Sequence, residues 1–285
     1  MSGRYSSVVK TAQDYYNSDD ADNFYYHVWG GEDIHIGIYE QLEEDIADAS
    51  QRTVSAMASH CLMNLGPQTR VLDVGAGYGG AARWLAGNFG CHVTCLNLSE
   101  AQNARNRAIT AEQELTDRIE VVDGSFEDIP APDQSFDLVW SQDAILHSGQ
   151  RERVLEEVDR VLKPGGEFIF TDPMQADDCP AGVLQPVLER IHLDSLGSFA
   201  FYRHQARRLG WEEVGISDLT PQLVTHYTRV RQELAKRRET LAGKVSDDYM
   251  DRMIQGLGKW VDAGDKGYLA WGILHFCKAA PGAAA

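Results

Sequence analysis

Long apolar runs are missing from this 285-residue chain. No window of about 18 consecutive apolar residues occurs, so no transmembrane helix is expected. The stretch from Met1 to Asp20 lacks a basic-then-apolar pattern, so no secretory leader is expected either. Cysteine is scarce: Cys61, Cys91, Cys95, Cys179 and Cys277 are odd in number and form no CxxC unit. Neither a zinc site nor a disulfide framework is expected, and the chain reads as a reduced, cytoplasmic protein without a metal. Cys91 and Cys95 are expected as small apolar residues on one face of a buried strand. Internal repeats and low-complexity linkers are absent as well. Positive charge is in short supply, with 26 basic against 43 acidic side chains and a formal net charge of −17. Such a surface repels phosphate backbones and anionic lipids, so neither nucleic acid nor membrane is an expected partner. The excess fits ordinary solubility, or a salty cytoplasm in which self-repulsion is screened. The clusters Asp19, Asp20, Asp22 and Glu43, Glu44, Asp45 incline towards the second.

What is present is ample core material, 43% hydrophobic residues, enough for one domain with elaborations. Residues 41–65 carry apolar side chains at helical spacing and predict one long helix, stopped by Gly66-Pro67. From Arg70 the period changes. Short apolar runs at 71–74, 92–96, 119–122, 136–140 and 167–171 predict five strands. Helical stretches at 81–89, 100–115 (capped by Ser99) and 151–162 alternate with them. Lys163-Pro164-Gly165-Gly166 ends the last of these. Such alternation predicts a parallel α/β sheet. Runs at 214–218 and 271–277 predict a closing antiparallel pair, with helices at 221–241 and 247–261 between them. The segment 180–196 is long enough to cover the C-terminal ends of the strands, where open α/β sheets bind ligands.

Gly75-Ala-Gly77-Tyr-Gly79-Gly80 joins the first strand to a helix. Glycine here permits positive φ and close approach of a ligand to the backbone. Read alone, GxGxxG also fits a dinucleotide. The surroundings discriminate. Asp73 stands two residues before the first glycine, where a carboxylate meets a ligand ammonium. Asn97-Leu98 ends the second strand, within reach of a ribose. Ser125-Phe126 follows the third, and Gln142 ends the fourth. This ordered set, from Arg70 to Thr171, resembles the class I S-adenosylmethionine-dependent methyltransferases. The resemblance implies a seven-stranded, mostly parallel Rossmann-like sheet with helices on both faces, and S-adenosylmethionine as cofactor. One departure stands out: the second strand usually ends in Asp or Glu, and here it ends in Asn97, without the charge assistance of a carboxylate.

The N-terminal region is rich in aromatic residues: Tyr15, Tyr16, Phe24, Tyr25, Tyr26 and Trp29. It reads as a packing helix, or as a lid offering ring faces to a cation. His147 follows the fourth strand, on the ligand edge. Together these segments resemble small-molecule amine methyltransferases. The nearer likeness is to the sarcosine/dimethylglycine N-methyltransferases of betaine synthesis, through residues 171–180 and 221–227. By position, the resemblance makes Tyr16 (or Tyr25) and His147 the catalytic pair and brings His35 and Gly37 to the donor. Tyr26, Trp29 and Met174 are expected at the acceptor. Arg190 and His192, with Arg203 as competitor, are expected at its carboxylate. The alternative acceptor is a natural-product hydroxyl or a quinol precursor. The implied organisation is an N-terminal helical lid (1–66), a donor-binding core (67–180), a lid segment with its helix (181–212) and a sheet-completing region with inserted helices (213–285). A monomer or small homo-oligomer is expected.

Overall fold

The computed structural model describes residues 7–191 and 193–280. Three short elements open it: α1 (Ser7–Tyr16), α2 (Asp19–Phe24) and a single-turn π-helix (Tyr25–Trp29). Helix α3 (Ile46–His60) follows. An alternating series comes next: β1 (Arg70–Val74), α4 (Gly80–Phe89), β2 (His92–Asn97), α5 (Glu100–Glu112), β3 (Ile119–Asp123) and β4 (Phe136–Gln142). A 3₁₀ turn (Ile145–His147), α6 (Arg151–Val161) and β5 (Leu162–Thr171) complete it. The remainder is β6 (Met174–Gln175), α7 (Gln185–Ile191), α8 (Phe199–Arg208), β7 (Trp211–Asp218), α9 (Thr220–Leu241), α10 (Asp247–Asp265), β8 (Leu269–Ala270) and β9 (Gly272–Lys278).

Seven strands form one sheet in the order β3-β2-β1-β4-β5-β9-β7. β1 to β5 run parallel, and β9 lies antiparallel between β5 and β7. The order reverses direction at β1 and β4, the crevice where such sheets take ligands. Alternation along the strands separates the two faces. Leu72, Val74, Phe168 and Phe170 join one core with Val154 and Val158 of α6 and Tyr202 of α8. Val71, Trp140 and Ile169 join the other with Met57 of α3 and Leu85 of α4. A third apolar cluster gathers Phe24, Trp29, Tyr227, Tyr249, Leu257 and Trp260 from the N-terminal segment, α9 and α10.

The strands lie close to the apolar runs, but β5 starts at Leu162, not at the expected 167, and β7 at Trp211, not at 214; Ser99 caps α5 by accepting from the Gln102 amide. The long first helix is shorter than its periodicity suggests, for two local reasons. The Asp45 side chain accepts from Ala47 N–H and starts the helix at Ile46. At the other end the buried Glu167 carboxylate takes the amides of Leu62 and Met63, 2.9 and 2.7 Å away. That drags the chain off the helical path. Cys91 and Cys95 are both buried, and all five cysteines are unpaired. No described helix is long and apolar enough to cross a membrane.

Candidate active site

Two chambers open at the C-terminal ends of the strands. The smaller, about 100 Å³, is built from loops that leave the sheet. Gly75 and Gly77 after β1, Asn97 and Leu98 after β2, Ser125 and Phe126 after β3, and Gln142 at the end of β4 all line it. Gly75 and Gly77 hold φ of +80° and +53°, a region that favours glycine. A Cβ on Gly75 would come within 2.3 Å of Ala144 Cβ, and one on Gly77 within 3.2 Å of Ile34. Gln13, Tyr16 and Tyr25 roof the chamber.

The larger chamber, about 940 Å³, lies under helical segments. Tyr15, Trp29, Tyr227, Tyr249 and Trp260 supply aromatic walls, with Glu189 and Ile191 from α7. Asp14, Asp19 and Asp20 add carboxylates, and Arg252 is the one arginine or lysine lining it among the described residues. The Tyr15 hydroxyl lies 3.0 Å from that of Tyr249 and 3.4 Å from that of Tyr25. The chambers share Tyr16, Tyr25, Ile34, Asp143 and His147. At that junction Tyr16 Oη and His147 Nε2 are hydrogen bonded at 2.8 Å, with rings edge to face. A small strand-end chamber and a large aromatic one, meeting at a Tyr–His pair, suit a transfer between two bound molecules.

A family described as a methyltransferase domain matches residues 72–170. The sarcosine/dimethylglycine N-methyltransferase of Halorhodospira halochloris is 58% identical over 98% of this chain and 100% of its own length. That of Aphanothece halophytica is 57% identical over 95% of this chain and 98% of its own. The chain belongs to the sarcosine/dimethylglycine N-methyltransferase family. Its fold agrees with the crystal structure of a Galdieria sulphuraria protein assigned as a sarcosine dimethylglycine methyltransferase. That match has a TM-score of 0.88 at 43% identity and covers 93% of this chain and 99% of the other.

In this methyltransferase Asp73 lies buried near the end of β1 and, contrary to expectation, lines neither chamber. Burial pushes its carboxyl up to about 7, with nearby His35 pulling it down and Asp33 pushing it up. His35 is buried too, its Nε2 3.6 Å from Asp33 Oδ1. Burial works to lower His35, but Asp33, with Asp143 behind it, outweighs burial and raises it. Neither His35 nor Gly37 lines a chamber, contrary to the expectation from position. Their segment packs on α3 instead. Ser50 Oγ donates to the His35 carbonyl, and the Gly37 amide donates to His226 Nδ1. A Cβ on Gly37 would strike Ala49.

Three acceptor expectations are corrected. Tyr26 turns away from the chamber that Tyr25 and Trp29 line, because the π-turn directs it towards α5, under the Arg105 guanidinium. Met174 pairs in β6 with Ala270 and is buried in the sheet core, while its neighbour Pro173 lines the chamber. Arg203 stands on α8 and ion-pairs with Glu213 of β7 at 3.0 Å, away from both chambers. Arg190 lies on α7 between two chamber-lining residues, its side chain outside the described part. His192 lies outside the described residues altogether.

The sequence reading missed Asp143, although it ends the β4 motif. Its φ of +52° is strained for a non-glycine residue. Its carboxylate accepts from Ile36 N–H at 2.6 Å and from Trp271 Nε1 at 2.8 Å. One half-buried side chain thus pins the 34–37 segment against the strand ends, and desolvation of its carboxylate raises its pKa. Tyr249, Arg252, Met253 and Trp260 were missed as well. They share one face of α10 at spacings of three, four and seven, a pattern visible in sequence but indistinguishable there from ordinary core packing.

Proposed function

We propose that this enzyme uses S-adenosylmethionine to methylate sarcosine and N,N-dimethylglycine on nitrogen, ending in glycine betaine, a compatible solute. The observation that carries this is the Tyr16–His147 pair at the one place where the two chambers meet, in a chain 58% identical to a sarcosine/dimethylglycine N-methyltransferase.

The residues around the smaller chamber fit the donor. Gly75 and Gly77 present bare backbone, and Asn97 spends its amide nitrogen on Gln102 at 2.9 Å, leaving Oδ1 to accept from a ribose hydroxyl. Asp73 supplies a carboxylate for the donor's ammonium. Ser125 and Phe126 border the position expected for adenine, and Gln142 completes the wall. When bound, the donor supplies an electrophilic methyl group on a sulfonium. The protein supplies alignment and dryness. Tyr16 and Tyr25 close the roof, so the junction excludes water while the acceptor nitrogen lines up from the aromatic side.

An ammonium has no lone pair, so the acceptor must first lose a proton. His147 is placed to take it, directly or through the Tyr16 hydroxyl. Aromatic faces of Tyr25, Trp29 and Tyr249 border the growing cationic centre and stabilise it without a fixed counter-charge. The acceptor carboxylate needs a cation from the helical side. Arg190 remains our assignment, since its neighbours Glu189 and Ile191 both line the chamber; Arg252, already at the wall, replaces Arg203 as its competitor. Within the expected lid segments, α1, α2, the π-helix and α7 act as lids over the 67–180 core, while α3 and α8 pack on the sheet faces instead. The reaction belongs in the cytoplasm, with small molecules as its only partners.

The test is a methyl-transfer assay with glycine, sarcosine and dimethylglycine, each with S-adenosylmethionine. Turnover of the two methylated amines to betaine is expected. Turnover of a hydroxylated aromatic acceptor, with none of the amines, would overturn the assignment.

A further inference from the structure

The smaller chamber, at about 100 Å³, falls well below the ~300–1,000 Å³ usual for a pocket that holds a drug-sized ligand. It opens into the larger chamber through their shared residues, and a nucleoside-sized molecule fits only when the roof or that junction moves. The roof residues Gln13, Tyr16 and Tyr25 belong to the N-terminal segment. Part of what fastens that segment lies inside the chambers, where Gln13 Nε2 donates to the Leu98 carbonyl at 3.3 Å and Tyr16 bonds His147 at 2.8 Å, and part lies outside them.

Arg105, on α5, ion-pairs through Nη2 with the Asp22 carboxylate of α2. Its guanidinium lies 4.3 Å from the ring centroid of Tyr26 in the π-helix and 5.5 Å from that of Tyr78. Tyr78 sits inside the glycine loop, between Gly77 and Gly79. Its hydroxyl donates to Asp22 Oδ1 at 2.7 Å, and its ring meets Tyr26 edge to face at 5.8 Å. One cation thus ties together the roof segment, the donor loop and α5. The Arg105 and Asp22 side chains are 30% and 18% exposed, so the contact is partly desolvated and worth more than a surface ion pair. None of Asp22, Tyr26, Tyr78 or Arg105 lines a chamber.

We propose that Arg105 is a positioning residue: through Asp22, Tyr26 and Tyr78 it latches the roof over the donor chamber and sets how fast the donor and its demethylated product exchange. This rests on the donor reading of the smaller chamber but not on the identity of the acceptor. Coulomb attraction in a partly exposed pair is screened by salt, so the latch also couples exchange to ionic strength.

The experiment measures dissociation of S-adenosylhomocysteine from the intact protein by stopped-flow displacement at several potassium chloride concentrations. Arg105→Met keeps apolar contact with the two rings and removes the charge. Its dissociation rate is expected to rise on the order of 10-fold, the scale of a cation–π contact plus a half-buried ion pair. The wild-type rate should climb with salt while the variant's stays flat. Tyr78→Phe, which removes the hydroxyl's bonds to Asp22 and keeps the Arg105 charge, should show a smaller rise with the wild-type salt slope. Equal dissociation rates in wild type and both variants, or the same salt slope in all three, would overturn the latch. Failure of S-adenosylhomocysteine to bind the wild type would instead sink the donor reading on which it rests.

Discussion

The two chambers are made by different physics. Every residue lining the smaller one from the sheet side lies at the end of a parallel strand or within a few positions of it. Its shape follows from backbone: glycines in the left-handed region and loops forced to turn, their amides tied back to neighbouring strand ends. The larger chamber draws on α1, the π-turn, α7, α9 and α10, segments from distant parts of the chain that meet by packing. A backbone-built site tolerates much side-chain variation and holds a ligand common to many enzymes. A packing-built site changes shape with each core substitution, and that is where acceptor choice resides. The two should therefore be separable by mutation, with the Tyr16–His147 junction common to both.

The largest effect is expected at that junction. His147→Ala should lower kcat on the order of 10²–10⁴-fold, with both ligand affinities within a factor of a few. The residual rate should climb with pH, because hydroxide then removes the acceptor proton. If donor or acceptor affinity fell as far as turnover did, His147 would belong to one chamber and the division proposed here would break.

Next in size is the acceptor anchor. Arg190→Ala should raise the KM for dimethylglycine by roughly 10–100-fold, the worth of one charge-assisted hydrogen bond. Arg190→Lys should raise it less, since the charge survives and the fork does not. Donor affinity, read by calorimetry, should stay put in both. The same pair of substitutions at Arg252 sharpens the comparison. A KM change confined to Arg252 would move the carboxylate to the face of α10 and displace Arg190.

The smallest effect is a protonic one on the donor side. Asp73 carries a proton up to about pH 7 in the free protein, because burial raises it. Unfolded, it ionises near 4. The folded form thus binds more protons between those limits, so this group's contribution to stability falls as pH rises from about 4 to 7. A cationic donor favours the ionised carboxylate. Binding at pH 6 should therefore release close to one proton, visible as a buffer-dependent heat. Donor affinity should drop by up to about tenfold per pH unit below 7. Asp73→Asn should abolish both dependences. A buffer-independent heat at pH 6 would detach Asp73 from the donor.

Legibility in the sequence follows the same division. Gly75, Gly77, Asn97, Leu98, Ser125, Phe126 and Gln142 could be picked out because strand, turn and helix are local events, and a strand end is a place. The closing antiparallel pair followed from the same reasoning, while the order of the strands in the sheet came only with the structure. Tyr16, Tyr25, Trp29 and His147 were found through resemblance, and the structure gathers them. His35, Gly37, Tyr26, Met174 and Arg203 were misplaced because their positions depend on long-range packing. No local signal marks the π-turn that sends Tyr26 outward between Tyr25 and Trp29. Nothing near Arg203 in sequence names Glu213 as its partner across the α8–β7 joint. Asp143 was passed over for a different reason. A left-handed aspartate after a strand looks like any turn residue until the amide and the indole it holds are seen.

The placement of β9 bears on how the protein is made. It slots between β5 and β7, yet α9 and α10 separate it from β7 in the chain. On the ribosome β1 to β5 can pair as they emerge, but β7 then has no neighbour and the β5 edge stays bare. At ~5–20 residues per second, synthesis of the two helices keeps that edge open for several seconds. An unpaired strand edge is a template for pairing with another nascent chain. Yield in a heterologous host should thus depend on how quickly the ribosome crosses α9 and α10, and on chaperones that shield a half-built sheet in the meantime.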